Sequence, residues 1–235
     1  MTYKMALFLS KLKGYKNMNI DKTLYKSLNS REKAIEWGET HYKDWKEHYS
    51  SLLSEMNYDH NKSDYYDAID FYCGYTYRQI NEYLRNNKND TSKSKYIREY
   101  TDILILLLYL SPRIPENIVL YRLVNKEFIK NFLGKSNKGS YITELGFVST
   151  SLSSDIVKIV DESYSNYNDL LKIYVEKGNV GLYTSIFVEK TEAEMLLPPN
   201  ARFHLISKPH YDKSLKKQVY ECKIEYSGNI IENNQ

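Results

Sequence analysis

The chain has 235 residues, room for one large domain or two small ones, and its 42% apolar and 27% charged residues match ordinary globular usage. A balance of 33 Lys and Arg against 30 Asp and Glu leaves +3, which argues against a nucleic-acid partner, and two cysteines, Cys73 and Cys222, build neither a disulfide framework nor a four-ligand zinc site. The longest apolar run, Ile103–Leu110, is far below the ~20 residues of a membrane span, and Met5–Leu9 is shorter than the ~7–15-residue core of a secretory signal.

In chain order, residues 1–29 read as an N-terminal extension. Ser30 is placed to cap a helix running to about Tyr49, with Ala34, Trp37, His41, Trp45 and His48 on one face. Leu52, Leu53 and Met56 form a short apolar cluster before the polar stretch Asp59–Asp64. A second helix, about Tyr65 to Asn86, is predicted to bury Ile69, Cys73, Tyr77, Ile80 and Leu84. After the connector Lys88–Ser94, a third helix over Lys95–Leu110 becomes apolar on all sides near its end, which predicts burial there; Pro112 and Pro115 stop it.

From Asn117 the period changes to two. Ile118–Val124 reads as a strand, Lys126–Leu133 as one or two helical turns, and Gly134–Ser140 as a loop. Further strands are predicted at Gly146–Ser151, Leu170–Val175, Val180–Ser185, Ala193–Leu197, Arg202–Ile206 and Gln218–Tyr226, with Lys208–Lys217 as a solvated basic hairpin. Three helices followed by these strands predict an α+β domain over 30–226, helical over 30–111 and strand-rich over 117–226, then the polar tail Ser227–Gln235.

Several motifs fail. Gly134-Lys135-Ser136 has the end of a phosphate-binding loop, but Ile129 stands where its first glycine belongs. Asp59-x-Asn61-x-Ser63 starts like a calcium loop, yet Asp64 and Asp70 occupy the positions that need Gly and Glu. Among the histidines there is no HExxH, and His41 and His48 read as helix-face residues.

Three segments carry chemistry. Arg122 is a lone cation in an apolar strand, which either meets a carboxylate or receives an anionic ligand. In Gly146-Phe-Val-Ser149-Thr150-Ser151, Ser149 and Ser151 share one strand face and Thr150 takes the other; such hydroxyls either close strand-end hydrogen bonds or hold another side chain. Glu192 and Glu194 lead into Met195-Leu196-Leu197 with both carboxylates on one face, an arrangement that needs compensating donors or cations.

In this order, Arg122, Ser149-Thr150-Ser151 and Glu192-x-Glu194 resemble the Arg…Ser-Thr-Ser…Glu-x-Glu pattern of bacterial mono-ADP-ribosyltransferase toxins. The resemblance extends to Glu36-Trp37-Gly38, to Tyr77-Arg-Gln-Ile-Asn81-Glu-Tyr-Leu-Arg85 and to Leu196-Leu197-Pro198, covering about Glu32 to Tyr226. It looks closest to the single-domain Rho-modifying exoenzymes and the catalytic half of the binary actin-modifying toxins. The family implies two packed, mainly antiparallel sheets around an NAD cleft, flanked by N-terminal helices.

It also implies roles. Arg122 would pair with the phosphates of NAD, the co-substrate, through a planar fork suited to them. Glu194 would bond the ribose 2′-hydroxyl and stabilise the oxocarbenium-like state reached as nicotinamide leaves, and Ser149 would orient it. Thr150 and Ser151 would support the cleft. Gly146 would border the NAD site, and Tyr77, Asn81 and Arg85 either border it or serve structure. Glu192 matches the arginine-modifying members, because a guanidinium is a poor nucleophile until a carboxylate positions it and helps remove its proton. Acceptor recognition would fall to Glu192 and the preceding loop, where Phe187 and Glu189 stand in place of the family's aromatic.

Leu123 replaces a frequent second arginine, and Lys158 is the only basic residue between Ser151 and Leu170. The implied protein is a monomer without metal, secreted or delivered into a target cell and active in its cytosol. Its partners would be NAD, a host protein bearing the acceptor arginine (actin is the commonest for such relatives) and a separate translocation component. The alternatives are an NAD glycohydrolase, with water as acceptor, and a catalytically degenerate docking domain of the same fold.

Overall fold

The computed structural model describes residues 20–55, 68–86, 95–136, 141–158, 167–188 and 192–226. Among these residues, nine strands run in chain order as β1 (Ile118–Val124), β2 (Ile142–Glu144), β3 (Val148–Ser151), β4 (Asp169–Val175), β5 (Leu182–Tyr183), β6 (Glu194–Leu197), β7 (Ala201–Leu205), β8 (His210–Asp212) and β9 (Lys217–Tyr226). Their hydrogen-bonded order is β2-β7-β9-β4-β1-β3-β6-β5, with β8 beside β9; the pair β4/β9 is parallel and the others are antiparallel.

Where two packed sheets were expected, the strands form one hydrogen-bonded path whose two halves join through a single register pair, Tyr121↔Ser151 of β1 and β3. A cleft opens beside that thin junction, and Arg122, the next residue of β1, lines it. The neighbours of Arg122 in β1 are buried, as the run Ile-Val-Leu-Tyr-x-Leu-Val requires for a strand covered on both faces.

Four α-helices with both ends among the described residues cover the sheet. The first, α1 (Arg31–Glu55), starts where Ser30 Oγ accepts from Lys33 N at 3.3 Å. It continues past Tyr49 and takes in Leu52 and Leu53, so the separate cluster expected there is part of the helix, while Met56 lies outside the described residues. Ala34, Trp37, Gly38 and Tyr42 face the core, whereas His48, expected on that face, is exposed. Gly38 has a reason to be glycine: a Cβ there would run into the ring of buried Tyr183.

The helix expected over Tyr65–Asn86 is interrupted. Tyr72–Thr76 form a wide π-type turn with a break at Gly74 (φ −85°, ψ −126°), and α2 proper spans Tyr77–Arg85. An inserted residue rotates everything after it relative to the face before it. Ile69, Ile80 and Leu84 are buried as predicted, but Tyr77 is 39% exposed and lines the cleft.

The next helix, α3 (Lys95–Leu110), has the predicted bounds but not the predicted burial. Leu104, Leu107 and Leu108 enter the core while Leu106, Tyr109 and Leu110 are 47%, 54% and 49% exposed, because α3 packs through one face only. Last, α4 (Lys126–Ser136) is capped by Asn125 Oδ1, which accepts from Phe128 N at 2.8 Å, and it runs into the stretch read as a loop from Gly134.

The strand read over Val180–Ser185 is only β5; Thr184–Ile186 form a tight turn instead. The basic hairpin expected over Lys208–Lys217 is present as β8 and the start of β9, and β2 is a strand that the sequence pattern did not reveal.

Glu221 on β9 is almost fully buried and ties the start of the described chain to the sheet. It accepts from Lys22 Nζ, from Ser207 Oγ at 2.7 Å and from Tyr174 Oη at 2.8 Å. Burial acts to raise its pKa, but those hydrogen bonds outweigh it and bring the carboxyl down to about 2 from 4.5. A depressed carboxyl contributes stability above its unfolded pKa and loses it as pH falls towards the folded one. Glu221→Gln is therefore expected to cost about 2 kcal/mol at pH 7, by loss of a charge-assisted network. Thermal melts between pH 7 and pH 3 should show the gap from the parent protein closing below about pH 4.5.

Candidate active site

The cleft at the β1/β3 junction has a volume of about 1150 Å³, above the ~300–1,000 Å³ usual for small-ligand pockets. Its walls include the π turn and α2 (Tyr72, Cys73, Tyr77, Asn81, Arg85), the end of β1 (Arg122), α4 (Glu127, Phe128), β3 and the start of β6. Of the expected site residues, Arg122, Ser149, Thr150, Ser151, Glu192, Glu194, Tyr77, Asn81 and Arg85 all line it.

At its floor lies Glu194, 3% exposed. Ser149 Oγ donates to its Oε1, and Thr184 Oγ1 donates to its Oε2 at 2.9 Å. Cys73 Sγ, from the π turn, approaches the same Oε2 at 3.5 Å. Ser185 Oγ accepts the backbone N–H of Glu194 at 3.0 Å. These donors answer the compensation that a buried carboxylate needs.

Glu192 is half-buried on the same cleft, but not on the strand. Ala193 adopts φ +46°, so the chain turns between the two glutamates and β6 starts only at Glu194. That positive φ is unusual for a residue with a Cβ, and it is held by Leu152 N donating to Ala193 O at 3.0 Å and Ser151 Oγ donating to Glu192 O at 2.7 Å. Thr150 Oγ1 donates to Met195 O at 2.6 Å. The three adjacent hydroxyls do not divide by strand face: Ser149 holds a side chain, whereas Ser151, expected on the same face, holds backbone as Thr150 does.

Arg122 is half-buried, with Nη1 donating to Ser149 O at 3.3 Å and its guanidinium 5.9 Å from the Phe128 ring centroid. Neither contact is anionic. Ser149 therefore touches both key groups, through its carbonyl to Arg122 and through its hydroxyl to Glu194. Tyr72 lies in the same charge field: burial, then the negative charge of Glu194, pushes its hydroxyl well above the usual tyrosine range, with Arg122 acting in the opposite direction.

The helix-face residues behave differently from Arg122. Asn81 is buried; its Nδ2 donates to Tyr72 Oη at 3.3 Å and its Oδ1 accepts from Phe147 N at 2.8 Å. Arg85 pairs with Glu144 at 2.9 Å, and the same Glu144 oxygen accepts from Gly146 N at 2.8 Å. Both side chains therefore fasten α2 to the chain entering β3. A Cβ on Gly146 would come within 2.7 Å of Asn81 Oδ1, which explains glycine at that position. Tyr77 stands at the cleft mouth with Arg78 Nε donating to its hydroxyl at 3.0 Å.

Phe187 does not project freely as an acceptor-facing aromatic. It packs edge-on to Trp45 at 6.0 Å, with Lys46 Nζ 5.5 Å from its ring centroid. Glu189 lies outside the described residues. Sequence reasoning missed Thr184, Ser185, Tyr72, Cys73 and Glu144; the available signal for the first two was a second hydroxyl pair ending an apolar run, and for the others there was none. Among the described residues no His, Cys, Asp and Glu group is arranged to hold a metal, and no helix is long and apolar enough to cross a membrane.

Comparison with known proteins places this geometry. The profile of the ADP-ribosyltransferase exoenzyme family matches residues 34–225. Among solved structures, the C3 exoenzyme of Clostridium limosum superposes with a TM-score of 0.63 at 19% identity, covering 86% of this chain and 97% of that one. C3stau2 of S. aureus, solved with NAD, gives 0.59 at 18% identity, covering 86% and 99%. The ADP-ribosylating toxin BECa of C. perfringens, from a binary enterotoxin and solved with NADH, gives 0.61 at 23% identity; the match covers 85% of this chain and 50% of BECa. No curated protein sequence matches the chain.

The fold is therefore that of the ADP-ribosyltransferase toxins, helices on a mostly antiparallel sheet. The chain belongs to the ADP-ribosyltransferase exoenzyme family, whose chemistry is NAD-dependent ADP-ribosyl transfer.

Proposed function

We propose that this protein moves ADP-ribose from NAD to an arginine side chain of a target protein inside another cell. The observation that carries the reading is Ser149, which contacts the Arg122 guanidinium and the Glu194 carboxylate from one residue. A cation for the diphosphate and an anion for the ribose thus share one cleft, with Ser149 of the intervening strand β3 touching both.

Arg122 binds the diphosphate of NAD, where a planar fork surpasses an ammonium. The bond between ribose C1′ and the nicotinamide nitrogen breaks, its electron pair leaving with nicotinamide, and positive charge develops on C1′ and the ring oxygen. Glu194 accepts the ribose 2′-hydroxyl hydrogen bond and stabilises that charge in a water-poor site. Glu192 receives the incoming guanidinium, orients one nitrogen towards C1′ and takes its proton as the new C–N bond forms. Tyr77, at the mouth, offers a face for the nicotinamide side of the dinucleotide.

The test uses agmatine as a minimal arginine acceptor, with NAD and purified protein. Nicotinamide release together with a stable ADP-ribosyl-agmatine product is the expected result. Release without the adduct would assign the protein as an NAD glycohydrolase instead. Labelled NAD in a host-cell lysate then identifies the acceptor, with actin the first protein to assay.

A further inference from the structure

The catalytic carboxylate of the proposed reaction is Glu194, and an inference about its support rests on that reading. Serine 149 fixes one oxygen only. A carboxylate held at one oxygen still pivots about that contact, and a displacement of ~1 Å costs ~100-fold in rate when geometry is productive.

The second oxygen has its own holder. Thr184 is fully buried and its Oγ1 stands 2.9 Å from Glu194 Oε2, with the Glu194 backbone oxygen further away at 3.4 Å. A hydroxyl carries one hydrogen, and the shorter contact to the charged acceptor claims it. Strand β6 lies between β3 and β5, so Ser149 reaches Glu194 from β3 on one side and Thr184 reaches it from the turn that follows β5 on the other. We infer that Thr184 is a positioning residue, the second anchor that sets the plane of the Glu194 carboxylate for catalysis.

The anchor is itself immobilised by α1. Tyr42 Oη donates to Gly181 O at 3.0 Å, and Lys46 Nζ donates to Ile186 O at 2.7 Å, on either side of Thr184. The ring of Tyr183 lies against Gly38. Glu194 is thus fixed on one flank by the sheet and on the other by a turn bolted to the helical layer. This gives α1, remote from NAD in sequence, a part in aligning the reacting group.

Thr184→Val keeps the shape and removes the donor; Thr184→Ser keeps the donor. Initial rates of nicotinamide release should show kcat for Thr184→Val lowered by about 10- to 100-fold with KM for NAD within about twofold, while Thr184→Ser stays within about threefold of the parent. Melting temperatures accompany the rates, and Thr184→Ala replaces the valine variant should that fail to fold. Equal kcat in the valine and parent proteins, or equal damage in valine and serine, overturns the anchor. A crystal structure of Thr184→Val separates this inference from the function it rests on. If the parent releases no nicotinamide, the proposed activity falls, while a Glu194 carboxyl plane rotated in the variant still supports the anchor and an unmoved one refutes it.

Discussion

Glu194→Gln is expected to suppress nicotinamide release and ADP-ribosyl transfer together by about 10³-fold, since one preorganised electrostatic contact at a developing charge is worth ~10²–10³ and here a full negative charge is removed. The substitution is nearly isosteric, so the cleft keeps its shape. It also turns one acceptor oxygen into an NH2 group, which faces either the Ser149 or the Thr184 hydroxyl. Those hydroxyls rotate to accept instead of donate, so folding tolerates the change. NAD binding should persist within a few-fold, because Arg122 is held by Ser149 O and the Phe128 ring, not by Glu194. Steady-state kinetics with calorimetric NAD titration checks both parts. Undiminished nicotinamide release in the glutamine variant would remove Glu194 from the chemistry altogether.

What the sequence revealed and what it concealed divide along physical lines. β1 was readable to the residue, because Ile118–Val124 carries one polar interruption in an otherwise apolar run and the strand is buried on both faces. α3 was equally readable in its bounds, since Pro112 stops it, but its burial was not. Composition reports that Leu106, Tyr109 and Leu110 are apolar; only packing reports which side of the helix has a neighbour. The break at Gly74 was invisible because its cost and its purpose are tertiary: it turns Tyr77 towards the cleft and leaves Ile80 and Leu84 in the core.

The same division holds in the cleft. Arg122, Ser149 and Glu194 stood out as polar groups in or beside apolar strand runs, Glu192 as the carboxylate leading into one, and all four line one cleft. Thr184 did not stand out, since a threonine at the end of an apolar run looks like any strand terminus, and its contact with Glu194 joins the turn after β5 to the start of β6. Asn81 and Arg85 were legible as one helix face, yet the face's neighbour is the segment 144–147, whose short strand β2 had no sequence signal.

Glu192→Gln is expected to separate the two activities that Glu194→Gln abolishes together. Transfer to agmatine or to a protein arginine should fall at least ~100-fold, the lower range for a lost general base, while nicotinamide release stays within about fivefold of the parent. The structure gives the physical reason for the split. Glu192 and Glu194 are two residues apart but do not continue one strand, because Ala193 at φ +46° breaks the extended alternation between them. Glu194 is buried and donor-bound, whereas Glu192 is half-buried, lines the same cleft and has its backbone held by Ser151. In the proposed reaction the buried carboxylate meets the ribose and the half-buried one meets the incoming guanidinium. Glutamine retains the length and polarity of that half-buried group but cannot accept a proton, so water can still consume the oxocarbenium-like state while arginine cannot. Parallel assays of nicotinamide release and acceptor labelling on one preparation measure the ratio. Equal loss of both would show that Glu192 acts on NAD cleavage itself, and unchanged labelling would show that some other group activates the acceptor.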